Sequence, residues 1–216
     1  MSTEEFINRC EYLYHLTSEQ NLANIISMRR LLSSKEIIAN SDLSRNEQRK
    51  VLTERRPDHF PIQLNGIECL LRDQRPISIK ALQKCLTDDW SVADFIESLN
   101  SRVFFWPTLK RLVVHFNRYK TEEHPKIIKV RTRELLEINS NALRFCHLNS
   151  GATRCHPKWN GSPPPRGLNT FVRAANFNYL PVQVAEVTFL TSCNLPNQIF
   201  VGNNPEGPWR SVALDN

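Results

Sequence analysis

Glycine is scarce in this chain, since only six of its 216 residues are glycine. A P-loop uses two glycines, and a dinucleotide fingerprint three, at short fixed spacings that let backbone amides approach a phosphate. No segment of the sequence carries either spacing. Neither kind of phosphate-binding loop is therefore expected.

Long apolar runs and a secretory start are also missing. No segment approaches the roughly 20 apolar residues that a membrane span requires, and Met1 to Phe6 lack the basic start and apolar stretch of a secretory signal. The cysteines lack the density of a disulfide-stapled scaffold. They are Cys10, Cys69, Cys85, Cys146, Cys155 and Cys193. We expect a cytoplasmic protein with mostly reduced thiols and no membrane partner.

Composition and charge describe what is present. Hydrophobic residues make up 40% of the chain, enough to bury one core, so a single domain over residues 1–216 is expected. The formal net charge of +6 fits ligands that carry phosphates, such as nucleic acid or a dinucleotide. Basic residues concentrate at 45–56, 110–120 and 126–133, a pattern that solvated helix faces also show.

Short strand patterns alternate with helical patterns along the chain. A strand at about 11–17 leads into a helix that Ser18 caps, and an aromatic strand at 102–106 ends at a proline. This mixture predicts an α+β fold with short, mostly antiparallel strands.

Two segments have no clear strand or helix period. The polar segment at about 41–62 predicts a loop or lid, and the proline-containing segment at about 149–180 predicts a long irregular loop. A short helical turn is expected near 196–200.

Two strands carry candidate site residues. Side chains in a strand alternate between two faces, so His15 and Thr17 share one face of the first strand. A histidine and a threonine before a capped helix can present donors and acceptors to a ribose and a carboxamide. The alternative is a core histidine that satisfies a neighbouring carbonyl.

Glu186 gives the sharpest chemical argument. It lies in an apolar run whose other face is Ala185, Val187 and Phe189. A carboxylate in a partly dry cleft stabilises an oxocarbenium ion at a sugar C1 and can bind a ribose hydroxyl. One carboxylate suffices when nicotinamide leaves, because a pyridinium departs as a neutral molecule, whereas glycosidases usually need two. The alternative is a surface glutamate on an edge strand, paired with a lysine or an arginine.

The aromatic strand offers a wall for a flat ligand. Phe104, Phe105 and Trp106 can stack on a nicotinamide or a nucleobase. Because adjacent strand residues face opposite ways, at least one of the two phenylalanines is expected in the core.

Two Cys-His pairs contain residue types that bind metals. They are Cys146-His147 and Cys155-His156. Adjacent strand side chains normally diverge, so we expect no metal site.

Four segments resemble, in order, blocks of the DarT-type ADP-ribosyltransferases, toxins that transfer ADP-ribose from NAD onto DNA bases. They are Tyr14–Thr17, Asn21–Ile26 with Leu31–Ser33, Leu99–Pro107 and Ala185–Phe189. The resemblance implies an ADP-ribosyltransferase-like split pair of small sheets with flanking helices, which hold NAD in the cleft between them.

The resemblance also implies roles for individual residues. His15 and Thr17 would hold the ribose and nicotinamide portion of NAD, and Glu186 would be the catalytic carboxylate. The remaining residues expected beside NAD are Asn21, Arg102, Phe105 and Trp106.

Acceptor binding is expected from arginines. The DNA-modifying members use one arginine between the first helix and the aromatic strand, where this chain has Arg45, Arg49, Arg55, Arg56, Arg72 and Arg75, and none of them aligns with it. The acceptor-binding arginines expected here are Arg75, Arg154, Arg166 and Arg173, with the basic segment at 45–56 holding acceptor phosphates.

The expected function is NAD-dependent transfer of ADP-ribose to a nucleobase in single-stranded DNA or RNA, by a bacterial toxin or phage-defence effector that a neutralising antitoxin would bind. Transfer to protein side chains is one alternative. A catalytically silent nucleotide-binding or RNA-binding module is the other.

Overall fold

The structure is a computed structural model that describes residues 1–121, 124–153 and 163–214. Its helices are α1 (Thr3–Arg9), α2 (Glu19–Met28), α3 (Ser34–Ala39), α4 (Arg45–Thr53), α5 (Ile79–Gln83), α6 (Val92–Asn100), α7 (Leu109–Tyr119) and α8 (Thr132–Ile138). Its strands are β1 (Tyr12–Thr17), β2 (Arg30–Leu32), β3 (Phe60–Leu64), β4 (Ile67–Leu71), β5 (Arg102–Phe105), β6 (Lys126–Arg131), β7 (Leu143–Cys146), β8 (Glu186–Leu190), β9 (Ser192–Asn194), β10 (Gln198–Gly202) and β11 (Arg210–Ala213).

Ser18 ends the first strand and begins the helix that follows it, as predicted. Its hydroxyl accepts a hydrogen bond from the Asn21 amide at 3.2 Å. Such an N-cap satisfies an otherwise unpaired helix amide and typically stabilises by about 1 kcal/mol. The cap therefore fixes the point at which the chain turns away from β1.

The prediction of a loop over 41–62 was wrong. The segment contains α4 and most of β3. Ser44 and Glu47 form a capping box that begins α4, and Val51 and Leu52 pack against an apolar cluster of β3 and β4. Because only this last turn of α4 reaches the core, its many exposed charges hid the helical period.

The helical turn expected near 196–200 was also wrong, because β10 lies there. β10 pairs with β6 and β11. In contrast, the described parts of 149–180 contain two short 3-10 helices, Leu168–Thr170 and Ala174–Asn176, and are otherwise irregular, while 154–162 of the predicted loop lie outside the described residues.

Two antiparallel sheets organise the chain. One has four strands in the order β1-β6-β10-β11, and the other has three in the order β5-β8-β7. Two-stranded pairs, β2-β9 and β3-β4, lie beside them. All pairings between these strands are antiparallel. The predicted α+β fold with short, mostly antiparallel strands is confirmed.

The largest apolar core joins the inner faces of these two sheets. Leu13 and Val130 contribute from the four-stranded sheet, and Val187 and Phe189 contribute from the three-stranded one, all with 0% exposure. Full burial of such a side chain contributes roughly 1.5–3 kcal/mol. This burial holds the two sheets face to face.

The sheets come closest where β1 meets the end of β5. The amides of Tyr14 and Trp106 donate to each other's carbonyls at 3.0 and 2.8 Å. The cleft described below opens beside this junction. Among the residues described, no helix is long and apolar enough to cross a membrane.

Candidate active site

A cleft of about 280 Å³ lies where β1, β4, β5 and β8 approach one another. The start of the loop after β7 and the inner face of α7 close it. Of the residues that the sequence predicted beside NAD, the cleft is lined by His15, Thr17, Asn21, Arg102, Trp106 and Glu186. Residues from both main sheets therefore share one cavity.

Glu186 lies on the central strand of the three-stranded sheet. β8 pairs with β5 on one side and with β7 on the other, where Glu186 is opposite Cys146. Its side chain is only 5% exposed. The alternative of a surface glutamate on an edge strand was therefore wrong.

The Glu186 carboxylate is held by one backbone amide. The amide of Ser150 donates to Oε1 at 3.2 Å, while Oε2 is buried with no hydrogen-bond partner among the residues described. Burial raises the pKa of Glu186 to about 7, against the opposing effects of Ser150, Arg166 and Arg111. A buried carboxyl with an unused oxygen is poised both to carry charge and to accept a proton near neutral pH.

His15 is a neutral hydrogen-bond acceptor toward the cleft. Its Nδ1 lies 2.8 Å from the Phe104 carbonyl, and because a carbonyl can only accept, Nδ1 carries the proton. Burial lowers the pKa of His15 to about 4, more than the Phe104 hydrogen bond raises it. Nε2 therefore keeps its lone pair at neutral pH, which suits a ribose hydroxyl.

The alternative expectation for His15, a core histidine that satisfies a neighbouring carbonyl, is correct for Nδ1 only. The residue still lines the cleft, and so does Thr17, which is 3% exposed on the same strand face. The carbonyl bond orients the ring and does not remove it from the cavity.

Asn21 lines the cleft, but its amide has a structural role. Its Nδ2 donates to the Leu70 carbonyl and its Oδ1 accepts from the Leu70 amide, both at 2.9 Å. These two bonds tie α2 to β4. They leave little of the amide for a cofactor, so the expected role of Asn21 beside NAD is corrected to positioning of the cleft wall.

The aromatic wall consists of Phe104 and Trp106, and the prediction for Phe105 was wrong. Phe105 has 0% exposure and packs edge-on against Phe189, with ring centroids 5.7 Å apart. Strand alternation turns it to the core and leaves the cleft to its neighbours. Trp106 lies against the His115 ring at a centroid distance of 4.5 Å.

Three arginines line the cleft and give it positive charge. They are Arg56, Arg72 and Arg102. Arg56 donates to the carbonyls of Arg72 and Val51 and to Asn100 Oδ1. Burial lowers the pKa of Arg56 and of Arg102 to about 10, so both stay charged at neutral pH.

Arg72 and Arg102 lie against aromatic faces. The Arg72 guanidinium is 4.5 Å from the Tyr119 ring centroid, and that of Arg102 is 4.2 Å from the Phe171 ring centroid. Arg102 also keeps a buried Nε with no hydrogen-bond partner in the described part of the chain. A guanidinium fixed on a ring in this way is pre-organised for a phosphate.

The predicted acceptor-binding arginines do not gather at the cleft. Arg75 binds Asp73 and lies behind the lining residues, and Arg173 is exposed and outside the lining. Arg154 lies outside the residues described. Arginine spacing alone does not reveal which guanidinium faces inward, because that depends on the packing of distant segments.

The prediction that Arg166 binds acceptor phosphates was wrong. Arg166 is 1% exposed, and its guanidinium donates to the carbonyls of Asn149, Ser150, Ala152 and Pro164 at 2.8 to 3.2 Å. Its charge is therefore used inside the fold. The arginine clamps the loop whose Ser150 amide holds Glu186.

The described residues do not bring the two Cys-His pairs together as a metal site. Cys146 donates its thiol proton to the Leu148 carbonyl, and burial raises the pKa of that thiol well above its usual range. The His147 ring stacks on Tyr179 at 4.2 Å. Cys155 and His156 lie outside the described residues, and within the described ranges no cluster of His, Cys, Asp and Glu could hold a metal.

Sequence reasoning missed several residues of this cleft. Asn149 and Ser150 sit in the irregular segment and carry no local signal. His115 did carry a local signal, because it falls at helical spacing with Leu112 and Tyr119 on the inward face of α7. Burial lowers the pKa of His115 to about 4, and its Nε2 lies 3.3 Å from Asn149 Nδ2.

A model of DUF7002, a family of unknown function, matches residues 11–196 of the chain. The chain belongs to the DUF7002 family. No curated protein and no solved structure matches it. The range that matches DUF7002 contains every cleft residue named above and ends before β10.

Proposed function

We propose that this DUF7002 protein is an NAD-dependent ADP-ribosyltransferase that modifies a nucleobase in single-stranded DNA or RNA. The observation that carries the proposal is the meeting of His15 and Glu186, from different sheets and far apart in the sequence, in one cleft. A neutral imidazole acceptor, a buried carboxyl and a cationic wall together match the parts of NAD.

Glu186 would act on the sugar carbon that is attacked. As the bond from C1 of the ribose to the nicotinamide nitrogen breaks, its electron pair leaves with neutral nicotinamide and positive charge grows on C1. The Glu186 carboxylate stabilises that charge in a site that excludes water. The lone pair of a nucleobase nitrogen or oxygen forms the new bond to C1, and Glu186 accepts the proton that the nucleophile gives up.

The arginine wall supports a ligand with phosphates. Arg56, Arg72 and Arg102 bring three positive charges to the lining, against Asp73, which already binds Arg75. The cavity of about 280 Å³ is just below the usual range for ligand clefts, about 300–1,000 Å³. It suits the nicotinamide and its ribose, with the pyrophosphate reaching the arginines.

Of the eight arginines between α2 and β5, Arg56 and Arg72 line the cleft. Either guanidinium would suit the role of the arginine that the DNA-modifying DarT-type transferases use between the first helix and the aromatic strand.

The test is transfer of label from NAD that carries radioactive phosphate. Single-stranded DNA, RNA and lysate protein are supplied in separate reactions, and released nicotinamide is measured in each. We expect labelled nucleic acid with the native protein and none with Glu186→Gln. Label found only in protein would overturn the choice of acceptor. No nicotinamide release with any acceptor would overturn the transferase itself.

Toxicity is the cellular side of the same proposal. An enzyme that modifies nucleic acid should arrest a bacterial host when expressed alone in its cytoplasm, and a neutralising antitoxin would be its partner. The Glu186→Gln variant should be tolerated at equal expression. Normal growth with abundant, NAD-cleaving native protein would contradict the toxin role.

A further inference from the structure

The outer face of the four-stranded sheet is covered at one end and exposed at the other. At one end α7 covers it, because Leu112 and Tyr119 pack against Leu16 and Ile127. At the other end the aromatic residues are half-buried and their neighbours on the same face are exposed. Those exposed neighbours are Arg131, Gln198, Ser211 and Ala213.

Strand register aligns rings and cations on this open face. One row across the four strands consists of Tyr14, Lys129, Phe200 and Ser211. The next row begins with Tyr12 beside Arg131. Successive rows lie roughly 7 Å apart, because residues two apart in a strand share a face.

Three rings surround one ammonium group on the face. Lys129 Nζ lies 3.9 Å from the ring centroid of Tyr12, 5.2 Å from that of Trp209 and 5.7 Å from that of Phe200. The indole lies directly on β10, since a Cβ added at Gly202 would come within 2.9 Å of it.

The open face is also free of acidic residues. None of the outward positions of these four strands is Asp or Glu, whereas Lys129 and Arg131 supply two positive charges. Glu11 and Glu134 stand at the rim and approach Arg131 only to 3.9 and 3.8 Å. Both are solvent-exposed pairs, which screen a neighbouring charge weakly.

The aromatic face continues to the candidate active site. The Tyr14 ring lies 6.1 Å from that of Trp209, and the Tyr14 backbone is bonded to Trp106, which lines the cleft that contains Glu186. The cleft residues His15 and Thr17 lie on the opposite face of β1, and Tyr14 is only 8% exposed, so a chain bound on the rings would pass round the β1 edge of the sheet to reach the cleft.

The basic surface of α4 is a weaker candidate for the same role. Arg45 and Arg49 share their groove with Asp94 and Glu97, and no aromatic residue lines it. Its mixture of positive and negative charges is less favourable for phosphates, and it has no aromatic ring on which a base could stack.

We propose that the open sheet face formed by Tyr12, Lys129, Arg131, Phe200 and Trp209 binds single-stranded nucleic acid and guides the acceptor strand to the cleft. Bases of a single strand stack on aromatic rings of a sheet while lysine and arginine contact its phosphates. A duplex hides its base faces, so a single strand is the occupant. The proposal rests on the proposed function for the identity of the acceptor.

The test is fluorescence anisotropy of labelled oligo-dT and oligo-U of about 15 nucleotides, near the site size of single-strand binders, without NAD. We expect binding of at least one oligonucleotide, and at least tenfold weaker binding of a duplex of equal length. Phe200→Leu removes a ring while keeping an apolar side chain, and should weaken binding about tenfold. Lys129→Gln should reduce the slope of log affinity against log salt concentration by about the amount expected for one phosphate contact.

The matched control is Arg49→Gln on α4, which should bind within about twofold of the native protein. Thermal unfolding verifies that each variant is folded. Equal binding by native, Phe200→Leu and Lys129→Gln proteins would overturn the proposal, and so would equal affinity for the duplex or an equal loss in Arg49→Gln.

Nicotinamide release from NAD separates this proposal from the transferase. Phe200→Leu and Lys129→Gln should cleave NAD in water as the native protein does, while transferring less ADP-ribose to oligonucleotide. If no protein cleaves NAD but the face variants still lose binding, the transferase fails and the binding face stands. If NAD is cleaved and oligonucleotide binding is unaffected by the variants, the face fails alone.

Discussion

Two buried carboxylates line the same cleft in opposite electrostatic settings. Asp73 has a fully buried side chain whose oxygens accept from the Arg75 amide and guanidinium, both at 2.9 Å. Burial alone would raise the pKa of Asp73, but the hydrogen bonds from Arg75 hold it below the usual range. Glu186 accepts one amide hydrogen bond, and burial dominates its pKa.

The difference separates a carboxylate that maintains the fold from one that the proposed function would use for chemistry. A paired carboxylate is already neutralised and contributes stability. An unpaired buried one destabilises the fold when it ionises, and such a site persists where its reactivity is used. Asp73 and Glu186 are therefore expected to respond to substitution in opposite ways.

The largest expected effect is on catalysis. Glu186→Gln should lower the rate of nicotinamide release by at least about 10³-fold, because the amide cannot stabilise the growing positive charge or accept the proton. The measurement is steady-state release of nicotinamide from NAD. A loss of less than tenfold would mean that another group does the chemistry.

Asp73→Asn should give the largest loss of stability, roughly 1–3 kcal/mol in the free energy of unfolding, since a buried carboxylate loses its charge-assisted hydrogen bonds from the Arg75 amide and half-exposed guanidinium. The pKa of Asp73 is lowered in the folded state, so its stabilisation is present above the unfolded pKa and is lost as pH falls through the folded one. Denaturant unfolding at about pH 7 and again in acid measures both. An unchanged midpoint at neutral pH would remove the contrast with Glu186.

Glu186→Gln should instead stabilise the protein in mild base, by roughly 2–3 kcal/mol. Because its folded pKa of about 7 is raised from 4.5, the contribution of Glu186 to stability is full below 4.5 and is lost as pH rises through 7. The gain should appear at about pH 8 and vanish near pH 4 in thermal or denaturant unfolding. Destabilisation at both pH values would show that Glu186 is paired like Asp73.

Arg166→Lys tests whether the hydrogen bonds from Arg166 to the loop are needed to hold the Ser150 amide against Glu186. A lysine keeps the charge but not the planar fork that binds four carbonyls, so turnover should fall by roughly 10- to 100-fold. The KM for NAD should change little, because Arg166 is not itself a lining residue and contacts Asn149 and Ser150 only at their backbone carbonyls. Arg173→Lys, on an exposed turn, is the control, and equal losses in both variants would argue against the clamp.

The smallest expected effect comes from His15. His15→Asn keeps a polar side chain but moves the acceptor, and should raise the KM for NAD about tenfold with a smaller change in kcat. Because its pKa is about 4, His15 should add no limb to the pH profile between about pH 6 and 8. A limb that disappears in the variant would show that the imidazole titrates in the cleft.

Local sequence patterns predicted the parts of the fold that depend on neighbouring residues. Ser18 capped its helix as expected, and strand alternation put Glu186 on the face opposite Val187 and Phe189. The local patterns missed α4 and β10 because both elements depend on contacts with distant segments. α4 touches the core through one turn only, and β10 exists through its pairing with distant β6 and β11.

The amino-acid sequence by itself determined which chemical groups are available: an imidazole and a hydroxyl two residues apart, a lone carboxylate in an apolar strand, and many arginines. Only the tertiary structure decided which of them share a cavity. It turned Arg56 and Arg72 toward the cleft, Arg166 into the interior and Phe105 into the core. The physical reason is that burial, pKa and hydrogen-bond partners are set by segments far apart in the chain, which no local pattern encodes.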